Sequence, residues 1–157
     1  MTPSLEHATF VIERKLAASA RHAFRFWSEP ELKKRWIDCH PDWATLEETF
    51  DFREGGIESK RWRTAQGQEQ TFFARYIDIL PQRRIIYAYE MTFKGQRLSA
   101  ALASVEFLPA GANTRMIFTE QTALLVGSRA ERIAGTESGF DRLVDVIAND
   151  REEERNA

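Results

Sequence analysis

The chain has 157 residues, of which 43% are hydrophobic and 29% charged, a composition that is typical of a globular protein and excludes a disordered one. Its net charge of −2 arises from 22 basic and 24 acidic residues that are interspersed along the chain, so no nucleic acid is expected as a partner. No apolar run approaches the roughly 20 residues that cross a bilayer, and the single cysteine, Cys39, has no partner for an internal disulfide. We therefore expect one cytoplasmic domain over residues 1–157, with its core at about 8–149 and no membrane partner.

The first part of the chain predicts one strand and two short helices. Apolar residues alternate from Thr9 to Leu16, with Arg14 alone breaking the apolar parity. Ser19 then stands where a helix N-cap is expected, and Pro30 ends this helix and suits the first position of the next one. The residues of the second helix that are expected to face inward are Leu32, Trp36 and Ile37.

The middle of the chain is typical of successive antiparallel hairpins. Turns are predicted at 55–56, 65–68, 80–83, 94–95 and 109–113. With the first strand this makes seven strands, the last six joined as a meander. After Gly127 the apolar spacing becomes helical and predicts a helix from about Arg129 to Asn149, followed by a fraying charged tail. Gly135 and Gly139 lie within this helix and suggest a close approach of its backbone to another group, or a bend.

The hairpin around the turn at 80–83 carries the most aromatic face of the chain. Because side chains alternate across a strand, one face should present rings, an alanine and a thioether. Its members are Phe72, Ala74, Tyr76, Tyr87, Tyr89 and Met91. Such a face needs a cover, and the only long helix predicted is the C-terminal one. The functional question is therefore what lies between that helix and this face.

The order of elements and several segments resemble a known family. The segments that carry the resemblance are IERKLAASARHAFRFWSEPELKKRW, FREGG, ARYIDILPQRRIIYAYEM, SVEFLPAGANTRMIFTEQ and GFDRLVDVI. In sequence and spacing, from about Phe10 to Ile147, they are similar to the homologues of the heat-shock-protein ATPase activator. That family lies within the SRPBCC superfamily, which also includes polyketide cyclases and aromatases.

The resemblance implies an α+β, helix-grip (START-like, Bet v-like) fold. In this fold a curved, seven-stranded antiparallel sheet wraps around a long C-terminal helix, with two short helices after the first strand. It also implies an internal pocket for an apolar or aromatic small molecule. Members often have a tryptophan after the helical glycine, whereas this chain has Gly135-Thr136. Chaperone regulation is not implied, because only one of the two domains of the activator is similar to this chain.

The candidate ligand-binding residues are mostly aromatic. They are Trp36, Trp43, Glu58, Trp62, Phe72, Tyr76, Tyr87, Tyr89, Phe118, Glu120 and Phe140. Aromatic walls with a few polar groups are characteristic of ligand pockets. The alternative is that each ring simply fills the core, which ordinary burial statistics favour for any one of them.

Two carboxylates, Glu58 and Glu120, share the inward parity of their strands and are the candidate catalytic residues. A carboxylate that is shielded from water would act as a general base or as an anchor for a ligand. We expect them instead to be wet and near strand ends, because glutamate is seldom fully buried. The basic run from Lys60 to Arg63 is likewise expected to form a solvated strand edge.

Other kinds of site find little support in the sequence. The segment at 38–42 offers several ligand types but lacks the paired spacings of a zinc site, and Cys39 and His40 are adjacent and so cannot form a catalytic dyad. We expect no metal and no cofactor. The leading hypothesis is binding of a small hydrophobic or aromatic ligand. The alternatives are a cyclase-like, aromatase-like or small-molecule hydrolase enzyme and a protein-interaction module, with a homodimer through exposed edge strands also expected.

Overall fold

The computed structural model describes residues 5–38 and 40–156, with side chains described as far as Asp150. The strands are β1 (Glu6–Leu16), β2 (Ala44–Phe50), β3 (Ile57–Arg63), β4 (Glu69–Leu80), β5 (Arg84–Phe93), β6 (Gln96–Ala110) and β7 (Asn113–Leu124). The helices are α1 (Ala20–Ser28), α2 (Pro30–Ile37) and α3 (Arg129–Asn156). The expectations about Cys39 fall outside the described residues.

All seven strands form one antiparallel sheet in the order β1-β7-β6-β5-β4-β3-β2. Strands β2 to β7 are therefore a meander, as predicted, and β1 pairs with β7 as one edge of the open sheet. This arrangement, with α1 and α2 after the first strand and α3 at the end, is the α+β helix-grip fold. None of the helices in the described part of the chain is both long and apolar enough to cross a membrane.

The start of each short helix is fixed by the residues that the sequence suggested. The Ser19 side chain accepts a hydrogen bond from the His22 backbone N–H at 3.2 Å, and Pro30 occupies the first turn of α2. The turn after β2 depends on glycine for a different reason. A Cβ atom at Gly56 would lie 2.0 Å from the Asp51 carbonyl oxygen, so no larger residue fits without backbone movement.

The register of the β4–β5 hairpin confirms the predicted aromatic face. Phe72 lies opposite Met91 and Tyr76 lies opposite Tyr87. The turn between the strands contains Gln82 at φ 67°, a left-handed conformation that is rare for a residue other than glycine. Because the paired residues lie on one face of the sheet, their side chains point together toward the helices.

The three helices cover the inner face of the sheet through contacts between aromatic rings. The Trp27 and Trp36 rings of α1 and α2 lie 4.9 Å apart between centroids, and Phe140 of α3 meets Phe118 of β7 at the same distance. Phe26 is fully buried, and its carbonyl oxygen accepts a hydrogen bond from the Trp36 indole at 2.8 Å. The core therefore lies between the sheet and the helices.

Helix α3 is held to the rest of the fold by ion pairs at two places along its length. Arg14 donates to Asp141 at 3.0 Å and to Glu137 at 3.3 Å, which explains a charged residue at an inward position of β1. Asp150 accepts from Arg35 at 2.9 Å and lies 2.8 Å from the His22 ring nitrogen Nε2. The predicted end of the helix near Asn149 is wrong, because α3 continues to Asn156, and Asp150 fastens it to α1 and α2.

The basic run on β3 also differs from the expectation. Strand β3 lies between β2 and β4, so it is an inner strand and not a strand edge. Lys60 is only 8% exposed and pairs with Asp38 at 2.8 Å. The prediction of a solvated edge is wrong because alternation turns Lys60 to the same covered face as Glu58 and Trp62.

Candidate ligand-binding cavity

A cavity of about 400 Å³ lies between α3 and the inner face of β3, β4 and β5. We call its buried part, at Trp27, Lys33 and Glu58, the inner end. We call its exposed part, at Asp38, His40 and Pro41, the mouth. Its volume is in the range of about 300–1,000 Å³ that is usual for small-molecule sites.

Nine of the candidate residues line this cavity. They are Trp36, Trp43, Glu58, Trp62, Phe72, Tyr87, Tyr89, Phe118 and Phe140. Tyr76 and Glu120 do not reach the wall. Tyr76 packs edge-on against Phe52, with ring centroids 4.9 Å apart, and Glu120 lies behind Tyr89, so each contacts a lining residue through its polar group instead.

The inner end contains a buried ion pair supported by a tyrosine. The Lys33 ammonium donates to Glu58 Oε1 at 2.5 Å, and the Tyr76 hydroxyl donates to the same oxygen at 2.6 Å. The Lys33 nitrogen also lies 5.2 Å from the centre of the Phe50 ring and 5.8 Å from that of Trp27, where cation–π attraction stabilises its charge. A charge pair buried to this degree needs such additional contacts to offset its lost hydration.

A second polar cluster lies behind the wall at Tyr89. The Tyr89 hydroxyl donates a hydrogen bond to Glu120, and Arg132 of α3 donates to that hydroxyl at 2.9 Å and to Ser99. Burial raises the pKa of Glu120, while the bond from Tyr89 and the charge of Arg132 act in the opposite direction. Burial and the Glu120 charge raise the pKa of Tyr89 far above its ordinary value. Tyr89 is therefore fixed as a neutral phenol on the cavity wall.

The expectation that both carboxylates are wet is wrong. Glu58 is 2% exposed and Glu120 is not exposed at all. Each is buried because a cation from a helix reaches it: Lys33 from α2 for Glu58, and Arg132 from α3 for Glu120. Strand alternation identifies the face of a carboxylate but does not reveal a partner on another element.

The mouth is lined by charged and stacked side chains. Lys60 pairs with Asp38 at 2.8 Å and lies 5.6 Å from the centre of the Trp62 ring. The rings of His40 and Trp43 stack with their centroids 4.0 Å apart. No group of three or more histidine, cysteine, aspartate or glutamate side chains within 5–38 and 40–150 is arranged to hold a metal ion.

The helix side of the cavity is almost bare of side chains at Gly135 and Gly139. A Cβ atom added to Gly135 would meet no atom within 4 Å, and one added to Gly139 would meet only Arg142 Nη2 at 3.6 Å. The suggested close approach of backbone to another group is therefore absent at Gly135. The two glycines instead leave space opposite the aromatic wall.

Comparisons with known proteins identify the family of the chain. Residues 17–149 match the family model of the Activator of Hsp90 ATPase homolog 1-like proteins. The chain belongs to this family. No curated protein matches it.

Solved structures extend the comparison. An uncharacterised protein from Rhizobium leguminosarum is 44% identical, with a TM-score of 0.86 over 93% of this chain and 97% of that one. A protein from Rhizobium loti is 35% identical, with a TM-score of 0.83 over 90% of this chain and 98% of its own. A protein from Chromobacterium violaceum shares the fold at 19% identity, with a TM-score of 0.74 over 88% and 96% of the two chains.

Two residues of this family member that support the cavity escaped the sequence analysis. Lys33 precedes Trp36 and Ile37 by three and four residues, so it shares the inward face of α2. Arg132 precedes Gly135 and Thr136 by the same intervals and shares the cavity face of α3. The spacing could have revealed both, but charged residues are not ordinarily counted on an apolar stripe.

Proposed function

We propose that this member of the family binds a small hydrophobic or aromatic molecule in the cavity between α3 and the sheet. The observation that carries the proposal is a cavity of about 400 Å³ whose wall includes nine tryptophan, phenylalanine and tyrosine rings. The fold of this family generally binds small hydrophobic ligands, which supports the same conclusion.

A core-filling role explains the aromatic wall less well than a ligand does. Phe72 and Tyr89, with ring centroids 5.4 Å apart, face the part of α3 where Gly135 and Gly139 have no side chains. Burying apolar surface stabilises a protein or complex by about 25 cal/mol for each Å² removed from water, and a surface left in contact with water does not contribute this free energy. A flat apolar ligand between these rings and the helix would recover this free energy.

Fluorescence titration with the neutral apolar probe N-phenyl-1-naphthylamine tests the proposal. We expect saturable binding of one probe per chain. Thr136→Trp, which puts a ring where α3 faces the cavity, should weaken binding at least tenfold. Leu102→Gln serves as the control, because Leu102 is 40% exposed and does not line the cavity. Absence of saturable binding, or loss of binding in the Leu102 variant alone, would contradict the proposal.

Native mass spectrometry of the protein purified from its own source would then identify the natural occupant. A molecule retained at one per chain and released on denaturation would give its chemical class directly. An apolar compound would agree with the proposal. A strongly hydrophilic one would oppose it.

A second candidate function is an enzyme of cyclase-like, aromatase-like or small-molecule hydrolase type. The observation that favours it is Glu58, a buried carboxylate on the cavity wall with Lys33 and Tyr76 as hydrogen-bond partners. Glu120 is less suited to direct contact because it lies behind Tyr89. With the natural ligand in hand, a Lys33→Met, Glu58→Leu double variant that binds it but no longer converts it would support catalysis. Equal conversion by the double variant and the unaltered protein would oppose it.

A further inference from the structure

The polar groups at the inner end are not all paired. Both hydrogen bonds to the Glu58 carboxylate, from Lys33 and from Tyr76, go to Oε1. Within the described residues Oε2 accepts no hydrogen bond, although the Glu58 side chain is only 2% exposed. Oε2 is not one of the fully buried polar atoms that lack a partner, so it is open to a water molecule or to a ligand group that can donate to it.

Tyr87 offers a second unpaired group on the same wall. Its hydroxyl has no hydrogen-bond partner in the part of the chain that the structure describes, whereas the hydroxyls of its neighbours Tyr76 and Tyr89 both have one. Burial, with the neighbouring Tyr89 and then Glu120 and Glu58, holds the pKa of Tyr87 well above its ordinary value. The hydroxyl therefore remains protonated and free to donate.

Tyr76 connects the two groups. Tyr87 is the cross-strand partner of Tyr76, with ring centroids 6.0 Å apart, and the Tyr76 hydroxyl reaches Glu58 at 2.6 Å. The inner end thus combines a carboxylate oxygen, which accepts from a ligand, with a phenol, which donates to it. A hydroxyl group both donates and accepts and is the simplest complement to this pair.

We propose that the inner end of the cavity recognises a hydroxyl group on an otherwise apolar ligand, with Glu58 Oε2 accepting a hydrogen bond from this hydroxyl and the Tyr87 hydroxyl donating one to its oxygen. The ligand class is an aromatic or alicyclic alcohol or phenol that enters hydroxyl first. This inference rests on the proposed function, because it assumes that the ligand occupies this cavity.

A water molecule is the rival partner of Glu58. A hollow of about 20 Å³ lies on the other side of Glu58, between α2 and strands β2 and β3. Roughly 10–15 Å³ is enough for one water molecule. If that water serves Oε2, a ligand hydroxyl gains nothing from Glu58, and the cavity does not distinguish an alcohol from its ether.

Three probes of similar shape separate these cases: naphthalene, 2-naphthol and 2-methoxynaphthalene, whose oxygen cannot donate. Affinities are measured by displacement of N-phenyl-1-naphthylamine. We expect 2-naphthol to bind at least tenfold more tightly than 2-methoxynaphthalene, as a hydrogen bond to a charged group implies. Equal affinities for the three probes would overturn the hydroxyl inference and leave the proposed function standing. Failure of all three to bind would overturn the proposed function itself.

Two variants assign the preference to residues. Tyr87→Phe removes only the unpaired hydroxyl, and we expect it to fold normally and to reduce the preference for 2-naphthol over naphthalene several-fold. The double variant Lys33→Met, Glu58→Leu removes both charges together and should lose the preference for 2-naphthol over 2-methoxynaphthalene while still binding naphthalene. An unchanged preference in the double variant would overturn the role of Glu58, and an unchanged one in Tyr87→Phe that of Tyr87.

Discussion

The Lys33 ammonium lies 2.5 Å from the Glu58 carboxylate, and the two side chains are 7% and 2% exposed. Removing one partner should therefore be far worse than removing both. We expect Lys33→Met to lower the free energy of unfolding by about 3–5 kcal/mol, because it leaves a buried charge unpaired. The Lys33→Met, Glu58→Leu double variant should recover most of this loss, as measured by urea denaturation. A single-variant loss below about 1 kcal/mol, the value of a surface pair, would show that water reaches the site.

Glu120 should make the protein less stable as the pH rises. Burial raises the pKa of its carboxyl group in the folded protein above the value of about 4.3 that glutamate has in the unfolded chain. Between these two pKa values the folded state binds the proton more tightly than the unfolded state does. The stabilisation that Glu120 contributes is fully present below the pKa of the unfolded state and is lost as the pH rises through the pKa of the folded state. Urea denaturation at several pH values should show the unaltered protein losing stability relative to Glu120→Gln across this interval. A difference that stays constant or moves the other way would contradict the burial of Glu120.

Asp150 should show the opposite dependence. Burial acts to raise the pKa of its carboxyl group, but the hydrogen bonds from Arg35 and His22 outweigh burial and lower it. Its contribution is therefore present above the unfolded value, about 3.9, and is lost as the pH falls through the folded pKa. We expect Asp150→Asn to cost roughly 1–3 kcal/mol near neutral pH and little in strong acid. Denaturation curves that coincide at neutral pH would show that this contact does not hold α3.

The sequence predicted most of the fold because its signals are local. The alternation around Tyr76 and Tyr87, the N-cap at Ser19 and the glycines at 55–56 each specify an element or a turn within a few residues. The meander then orders six of the seven strands without long-range information. The length of α3 was underestimated because what fastens it at Asp150 is two residues, His22 and Arg35, that are distant in the chain.

The site was predicted less completely, because its polar groups are satisfied between elements. The alternation of side chains along the strands predicted that Glu58 and Glu120 lie on the inner face. Only the three-dimensional structure shows that Lys33 and Arg132 reach them. Parity also could not distinguish a residue on the cavity wall from one behind it. Tyr76 shares the face of Tyr87, but its hydroxyl turns to Glu58 and its ring is covered by Phe52.

Binding of N-phenyl-1-naphthylamine to two variants of Gly139 tests most directly whether the cavity is the binding site. Gly139 lines the cavity, and an added Cβ atom would meet only Arg142 Nη2 at 3.6 Å, so either variant should fold. Alanine should improve the helix by up to about 1 kcal/mol and leave space for the probe. Leucine should extend into the cavity and weaken binding at least tenfold. Tight binding by Gly139→Leu, equal to that by Gly139→Ala and the unaltered protein, would contradict the account.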